Sequence, residues 1–281
     1  MQADLVSVSD GAQLATYFSG RRDGLPVLLC HGGPGLWDYL EPVAEVLPQF
    51  SVHRFDQRGC GRSSGPADYS VARAVQDIDD LRQHWGYPRW RVFGHSWGAT
   101  LALAYAWTHP DRVERLVYCA GAGPGTDWKT SYREAEQLRL TSGQFERRDQ
   151  LEQATRSPAE ELEYLTLCWC SDYADPEAGL RWARYDAANR PCAVNYTANR
   201  QLAAEASGWT AADVAARCQL ITAPALAIHG EADPRPLWSA RRIAELIPDA
   251  EFSAIPGAGH MIWRENRADF DAAFRGFLLR Q

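Results

Sequence analysis

The run Gly94-His95-Ser96-Trp97-Gly98 holds a serine between two glycines, with a short apolar stretch before it and the helix-like Ala99–Thr108 after it. A serine hydroxyl becomes a nucleophile when a neighbouring base takes its proton. A sharp turn from strand into helix raises that hydroxyl on a tip. Crowding at such a turn favours glycine two positions before and two after. The helix that follows aims its first N–H groups at the spot where an oxyanion forms. Ser96 is therefore read as the nucleophile of an acyl-transfer enzyme, against the plain alternative of a glycine-flanked turn.

A nucleophile of this kind draws its acid and its base from later in the chain, in the order Ser, acid, His. The strand-like Pro224–Gly230 runs into Glu231-Ala232-Asp233-Pro234, and Glu251–Ile255 runs into Pro256-Gly257-Ala258-Gly259-His260. Asp233 and His260 are thus expected at the same sheet edge as Ser96. His260 would act as general base and then acid, and Asp233 would fix the imidazole tautomer. Glu231 is read as solvated, and His95 as pointing away from the serine, because adjacent residues at such a turn diverge. His31, His53, His84, His109 and His229 read as packed or hydrogen-bonded histidines. The loop His31-Gly32-Gly33-Pro34-Gly35 lets backbone amides approach a ligand. Gly33, with Gly32 as its competitor, is expected to give one oxyanion donor and Trp97 the other. "DQRGCGRS" (Asp56–Ser63) reads as a brace for neighbouring loops through Asp56 and Arg58.

The elements that must carry these residues alternate along the chain. A hairpin, Leu5–Val8 and Ala12–Phe18, precedes strand-like runs at Pro26–Cys30, Ser51–Asp56, Trp90–Gly94 and Arg115–Gly121. Helical stretches are expected at Tyr39–Leu47, Val71–Trp85, Ala99–Thr108, Trp238–Leu246 and Asp269–Leu279. Such alternation argues for an α/β fold with a mostly parallel central sheet and helices on both faces. From 126 to 216 only helices are expected, with start signals at Ser157-Pro158-Ala159-Glu160, Asp175-Pro176-Glu177 and Thr210. The chain thus divides into a core, 1–125 and 217–281, and a helical cap insertion, 126–216, placed to roof a crevice at the carboxyl ends of the strands.

The bulk numbers narrow the function classes. Of 281 residues, 46% are hydrophobic and 23% charged, and the formal net charge is −7. No basic block or stripe appears, which argues against nucleic acid as a partner. No apolar run approaches the ~20 residues of a membrane span, and no leader-like segment opens the chain, so a cytoplasmic location without membrane attachment is expected. The 7 cysteines show no metal-ligand spacing. Most of them read as buried thiols, and the Cys168-Trp169-Cys170 pair is the one place where a redox role is the alternative. No metal or other cofactor is expected. The expected partner is a small-molecule or short-peptide substrate.

Together these pieces resemble the α/β-hydrolase superfamily over nearly the whole chain. The combination of "HGGPG", "DQRGCGRS" and "SWG" resembles the proline iminopeptidase (prolyl aminopeptidase) family. The resemblance implies a triad of Ser96, Asp233 and His260, no metal, and release of an N-terminal residue, proline above all. Reading a free ammonium group calls for carboxylates in a partly desolvated pocket beside an apolar slot. "WARYD" supplies Trp182, Tyr185 and Asp186 where that family carries an aromatic and acidic pattern on a cap helix. Aromatics at this spacing also suit an ordinary core. Two positions depart from the pattern: aligning on Tyr196 and Asn199 puts Ala193 where a second acid is usual, and His95 stands where glycine is usual. An esterase or lactonase for a neutral small molecule is accordingly the second reading, and a non-catalytic binding protein the third. Epoxide hydrolases and dehalogenases need Asp at position 96 and are set aside.

Overall fold

A computed structural model describes residues 3–123 and 125–280. Among these residues one 8-stranded sheet is formed by β1 (Asp4–Ser7), β2 (Gln13–Gly20), β3 (Pro26–Cys30), β4 (Ser51–Phe55), β5 (Trp90–His95), β6 (Val113–Cys119), β7 (Ala225–Gly230) and β8 (Ala250–Ile255). The spatial order is β1-β2-β4-β3-β5-β6-β7-β8. The β1–β2 and β2–β4 pairs are antiparallel and every other pair is parallel. The helices are α1 (Glu41–Ala44), α2 (Val71–His84), α3 (Trp97–Thr108), α4 (Trp128–Arg139), α5 (Ser142–Gln153), α6 (Pro158–Cys170), α7 (Pro176–Ala188), α8 (Tyr196–Ser207), α9 (Ala211–Cys218), α10 (Leu237–Leu246), α11 (Ile262–Glu265) and α12 (Arg267–Leu279).

The two-residue alternation of the strands sorts side chains into two cores. Leu28 and Val92 face one side, where Val71 of α2, Leu101 of α3 and Ile243 of α10 cover them. Val27, Leu29 and Phe93 face the other, under Val43 of α1 and Phe270 and Phe274 of α12. Because both faces are covered, the parallel strands read as continuous apolar runs. The apolar residues of α3 are buried all round, which fits its lack of a polar face.

Several boundaries shift by one or two residues, and two of the differences have a clear physical cause. The helix expected over Tyr39–Leu47 shrinks to Glu41–Ala44. Leu40, Val43, Ala44 and Leu47 are all buried, which produced a helix-like periodicity, but Pro48 biases Leu47 away from helical backbone and ends the element early. Helix α3 starts at Trp97 rather than Ala99, because the turn at Ser96 itself caps it. Between β6 and β7 the described chain passes through α4 to α9 without a strand. None of the described helices is long and apolar enough to cross a membrane.

The same burial gives the fold a pH limit. His53 on β4 lies under Trp85, ring centroids 4.0 Å apart, and is within hydrogen-bond reach of Ser51 and Tyr87. Burial first, and the nearby Arg22 charge second, lower its pKa from 6.5 to about 4. The unfolded chain gains this proton as pH falls below 6.5, whereas the folded protein resists it until about 4. Stability from this site is therefore full above the unfolded value and lost as pH falls between the two, by about 3 kcal/mol in all. Burial lowers His31, His95 and His229 as well, so their contributions carry the same sign. Urea unfolding at stepped pH should show a shallower dependence in His53→Gln than in the wild type; superimposable slopes would remove His53 from the account.

Candidate active site

The carboxyl edge of the sheet gathers the residues that the sequence singled out. Sheet order reverses at β3, whose neighbours β4 and β5 lie on opposite sides. Loops leaving β3 and β5 therefore part and open a crevice at that edge. Ser96 sits at the β5–α3 junction with φ 57° and ψ −120°, a conformation rare for a residue with a side chain. The flanking glycines permit it. A Cβ at Gly94 would lie 2.0 Å from the Gly98 carbonyl oxygen, and one at Gly98 would lie 2.1 Å from the Cys30 carbonyl oxygen. The turn is held from across the sheet, where the Ser96 amide donates to the Cys119 carbonyl at 2.9 Å.

Asp233 leaves β7 and His260 leaves β8, and the two meet behind the crevice. The His260 Nδ1–H donates to Asp233 Oδ2 at 2.7 Å. The second carboxylate oxygen accepts the Arg235 amide at 2.8 Å, with the Arg235 guanidinium 3.4 Å away. Burial alone would raise the Asp233 pKa. The His260 ring and the Arg235 charge outweigh it and hold the carboxyl well below the usual range. With its Nδ1 proton committed to this carboxylate, a neutral His260 keeps its lone pair on Nε2. Its backbone is held too: the His260 amide donates to the Asp172 carbonyl at 2.6 Å.

The loop after β3 lies against the serine, so that a Cβ at Gly32 would come within 2.9 Å of the Ser96 Cβ. The Gly32 amide is engaged, donating to the Tyr39 hydroxyl at 2.9 Å. Gly33, φ 132°, borders the cavity described below, and its peptide bond to Pro34 is cis. Gln57, inside "DQRGCGRS", joins this loop to the serine turn. Its side-chain amide donates to the His31 carbonyl at 2.6 Å and accepts from the Trp97 indole at 3.0 Å. Asp56 accepts from the Asp38 and Arg62 amides and the Tyr17 hydroxyl, and Arg58 pairs with Asp77 and Asp10. Both side chains thus take the bracing contacts expected of them.

Ser96, His260 and Gly33 border one cavity of about 460 Å³. Tyr132 of α4, Trp169 of α6 and Tyr185 of α7 supply aromatic wall opposite them. Among the residues singled out on "WARYD", Tyr185 and Asp186 line this cavity, whereas Trp182 lies outside the lining. Trp182 is 43% exposed and carries the Arg264 guanidinium over its ring at 4.8 Å. Four charges face inward and they are paired. Asp186 meets Arg264 in two bonds, at 2.6 and 3.1 Å, and Asp172 meets Arg235 at 2.5 Å. Each wall carboxylate therefore meets a guanidinium group, Arg235 being shared between Asp172 and Asp233. Cys168 borders the cavity, but burial pushes its thiol up to about 12, and Cys170 goes up to about 11 for the same reason. No cluster of three or more His, Cys, Asp or Glu suited to a metal occurs among the described residues.

Several of these residues had no sequence signal of their own. Arg264, on α11, lies four residues after His260, and only the fold sets it against Asp186. Asp172 and Arg235 belong to distant segments. His95 was expected to be a bystander, yet its ring bonds both to Tyr39 and to the His260 carbonyl.

The family described as alpha/beta hydrolase fold matches residues 26–266. Proline iminopeptidase of Neisseria gonorrhoeae is 45% identical over 116 residues, which are 40% of this chain. That match spans 37% of the length of the gonococcal relative. Proline iminopeptidase of Xylella fastidiosa strain 9a5c is 28% identical over 94% of this chain and 92% of its own. The crystal structure of proline iminopeptidase from Mycobacterium smegmatis superposes with a TM-score of 0.72, at 21% identity, covering 99% of this chain and 97% of that one.

Proposed function

The chain belongs to the α/β-hydrolase fold family and is an enzyme, and from that premise we propose that it is a serine hydrolase working through an acyl-enzyme. The observation that carries the reading is the His260–Asp233 hydrogen bond, 2.7 Å, beside a cavity that Ser96 and His260 share. In this mechanism His260 Nε2 takes the Ser96 hydroxyl proton as the oxygen attacks a carbonyl carbon. The developing oxyanion is met by the backbone amides of Gly33 and Trp97. His260 returns the proton to the leaving amine or alcohol, leaving Ser96 acylated. Water, deprotonated by His260, then attacks the ester, and the acid is released. The segment 126–216 acts as a cap that shapes the substrate cavity over a core of 1–125 and 217–281.

The first substrate reading is release of an N-terminal residue from a short peptide or small amide, in keeping with the relatives named proline iminopeptidase. Here Asp186 would receive the substrate ammonium, with Tyr185 beside it and Trp182 supporting from outside. The second reading is hydrolysis of a neutral ester or lactone. The paired wall charges favour it, since a desolvated ammonium needs a carboxylate that no guanidinium already neutralises.

A prolyl arylamide, its N-acetylated form and a simple aryl ester separate the two. On the first reading N-acetylation lowers kcat/KM by about 10- to 100-fold, the worth of one charge-assisted hydrogen bond. Asp186→Asn then raises KM for the free-amine substrate by a similar factor and leaves the ester nearly unchanged. Indifference to N-acetylation together with fast ester cleavage assigns the enzyme to the second reading.

A further inference from the structure

His95 is fully enclosed at the end of β5. Its Nε2 lies 3.0 Å from the His260 carbonyl oxygen, which can only accept, so Nε2 carries the ring proton. The neutral ring then accepts at Nδ1 from the Tyr39 hydroxyl, 2.7 Å away. That hydroxyl oxygen in turn accepts the Gly32 amide at 2.9 Å. All the donors and acceptors in this chain are consistent with one tautomer. It runs from the glycine loop, through Tyr39 and His95, to the backbone of the residue that carries the base. Packing fixes the ring as well: His95 lies 4.6 Å from the His260 ring and 4.7 Å, edge to face, from Trp263. Burial first, then the His260 charge, hold the His95 pKa well below its ordinary value, so the ring stays neutral while His260 carries a proton.

We infer that His95 and Tyr39 are positioning residues that tie the oxyanion loop to the His260 loop, keeping the Gly33 amide and the imidazole in one register about Ser96. The inference rests on the reading of Ser96 and His260 as the reacting pair. Among the described residues, the Gly32–Tyr39–His95 chain of bonds reaches the His260 carbonyl from the loop after β3. The link is made of backbone at both ends, so it constrains position without joining the chemistry. A displacement of about 1 Å between reacting groups costs on the order of 100-fold in rate. Tyr39 and His95 also border the cavity, so the split between kcat and KM is the readout that separates positioning from substrate contact.

The test uses the full-length enzyme with an aryl ester and the variants Tyr39→Phe, His95→Ala, His95→Gln and the double variant Tyr39→Phe/His95→Ala. Tyr39→Phe and His95→Ala are each expected to lower kcat about 10- to 100-fold with KM within about twofold. The double variant should be no slower than His95→Ala, because both cut one chain of bonds. His95→Gln, which keeps an N–H for the His260 carbonyl, should recover part of the loss. Multiplicative losses, or a change confined to KM, overturn the inference. If His95→Ala does not fold, Tyr39→Phe decides by its kcat alone, since it removes a single hydroxyl. Fluorophosphonate labelling separates the two levels of the argument. A wild type not labelled at Ser96 overturns the mechanism itself, whereas a wild type labelled no faster than Tyr39→Phe overturns only the positioning role.

Discussion

Ser96→Ala is expected to lower kcat by about 10⁶-fold while leaving the fold intact, the loss seen when such a nucleophile is removed from a complete site. The fold should survive because the change deletes one hydroxyl and keeps the Cβ. Holding a residue with a side chain at φ 57° and ψ −120° costs on the order of 1–3 kcal/mol, and alanine bears that cost as serine does. Strain of this kind persists only where surrounding structure imposes it, and here Gly94 and Gly98 let β5 and α3 close to contact distance around the turn. The cavity and the oxyanion donors remain, so KM should change little. Steady-state kinetics with an aryl ester, alongside thermal unfolding of the same preparation, make the comparison. Turnover within 100-fold of the wild type would discard the acyl-enzyme mechanism.

The second large effect belongs to a residue that touches no substrate. Asp233→Asn is expected to lower kcat by about 10⁴-fold at neutral pH. The geometry gives the reason. One Asp233 oxygen accepts from the Arg235 amide, with the Arg235 guanidinium close by, so that position demands an acceptor. The introduced amide must place its oxygen there, which turns its NH₂ group toward His260 Nδ1. An imidazole facing a donor keeps its proton on Nε2, and it can no longer take one from Ser96. The variant should bind substrate normally and fold normally, and its ring tautomer should be visible by nitrogen NMR of His260. Activity within tenfold of the wild type, with the proton still on Nδ1, would remove Asp233 from the mechanism.

Much of the fold was legible because its signals are local. Buried parallel strands leave continuous apolar runs, and Ser157-Pro158 and Asp175-Pro176 announce helix starts whatever lies around them; the structure caps α6 and α7 at those residues. The segment Tyr39–Leu47 misled because burial in a loop leaves the same periodicity as burial on a helix. The candidate site was legible wherever a residue's surroundings are set by its own neighbours in sequence. Ser96 between glycines is one case, and the acid and histidine just beyond β7 and β8 are others. Trp182 lies outside the cavity lining while Tyr185 is part of it, because helical spacing tells which residues share a face, not which partner that face meets.

The amino-acid sequence by itself determined an alternating α/β chain, a sharp serine turn between glycines, and an acid and a histidine at the ends of later strands, since turn chemistry and apolar periodicity act over a few residues. Only tertiary structure decided that Arg264 neutralises Asp186, that Arg235 neutralises Asp172, and that His95 bridges two loops. Each of these contacts joins segments far apart along the chain, and a charge's partner depends on packing rather than on spacing. The character of the cavity, and with it the choice between an ammonium and a neutral substrate, is therefore a property of the assembled molecule.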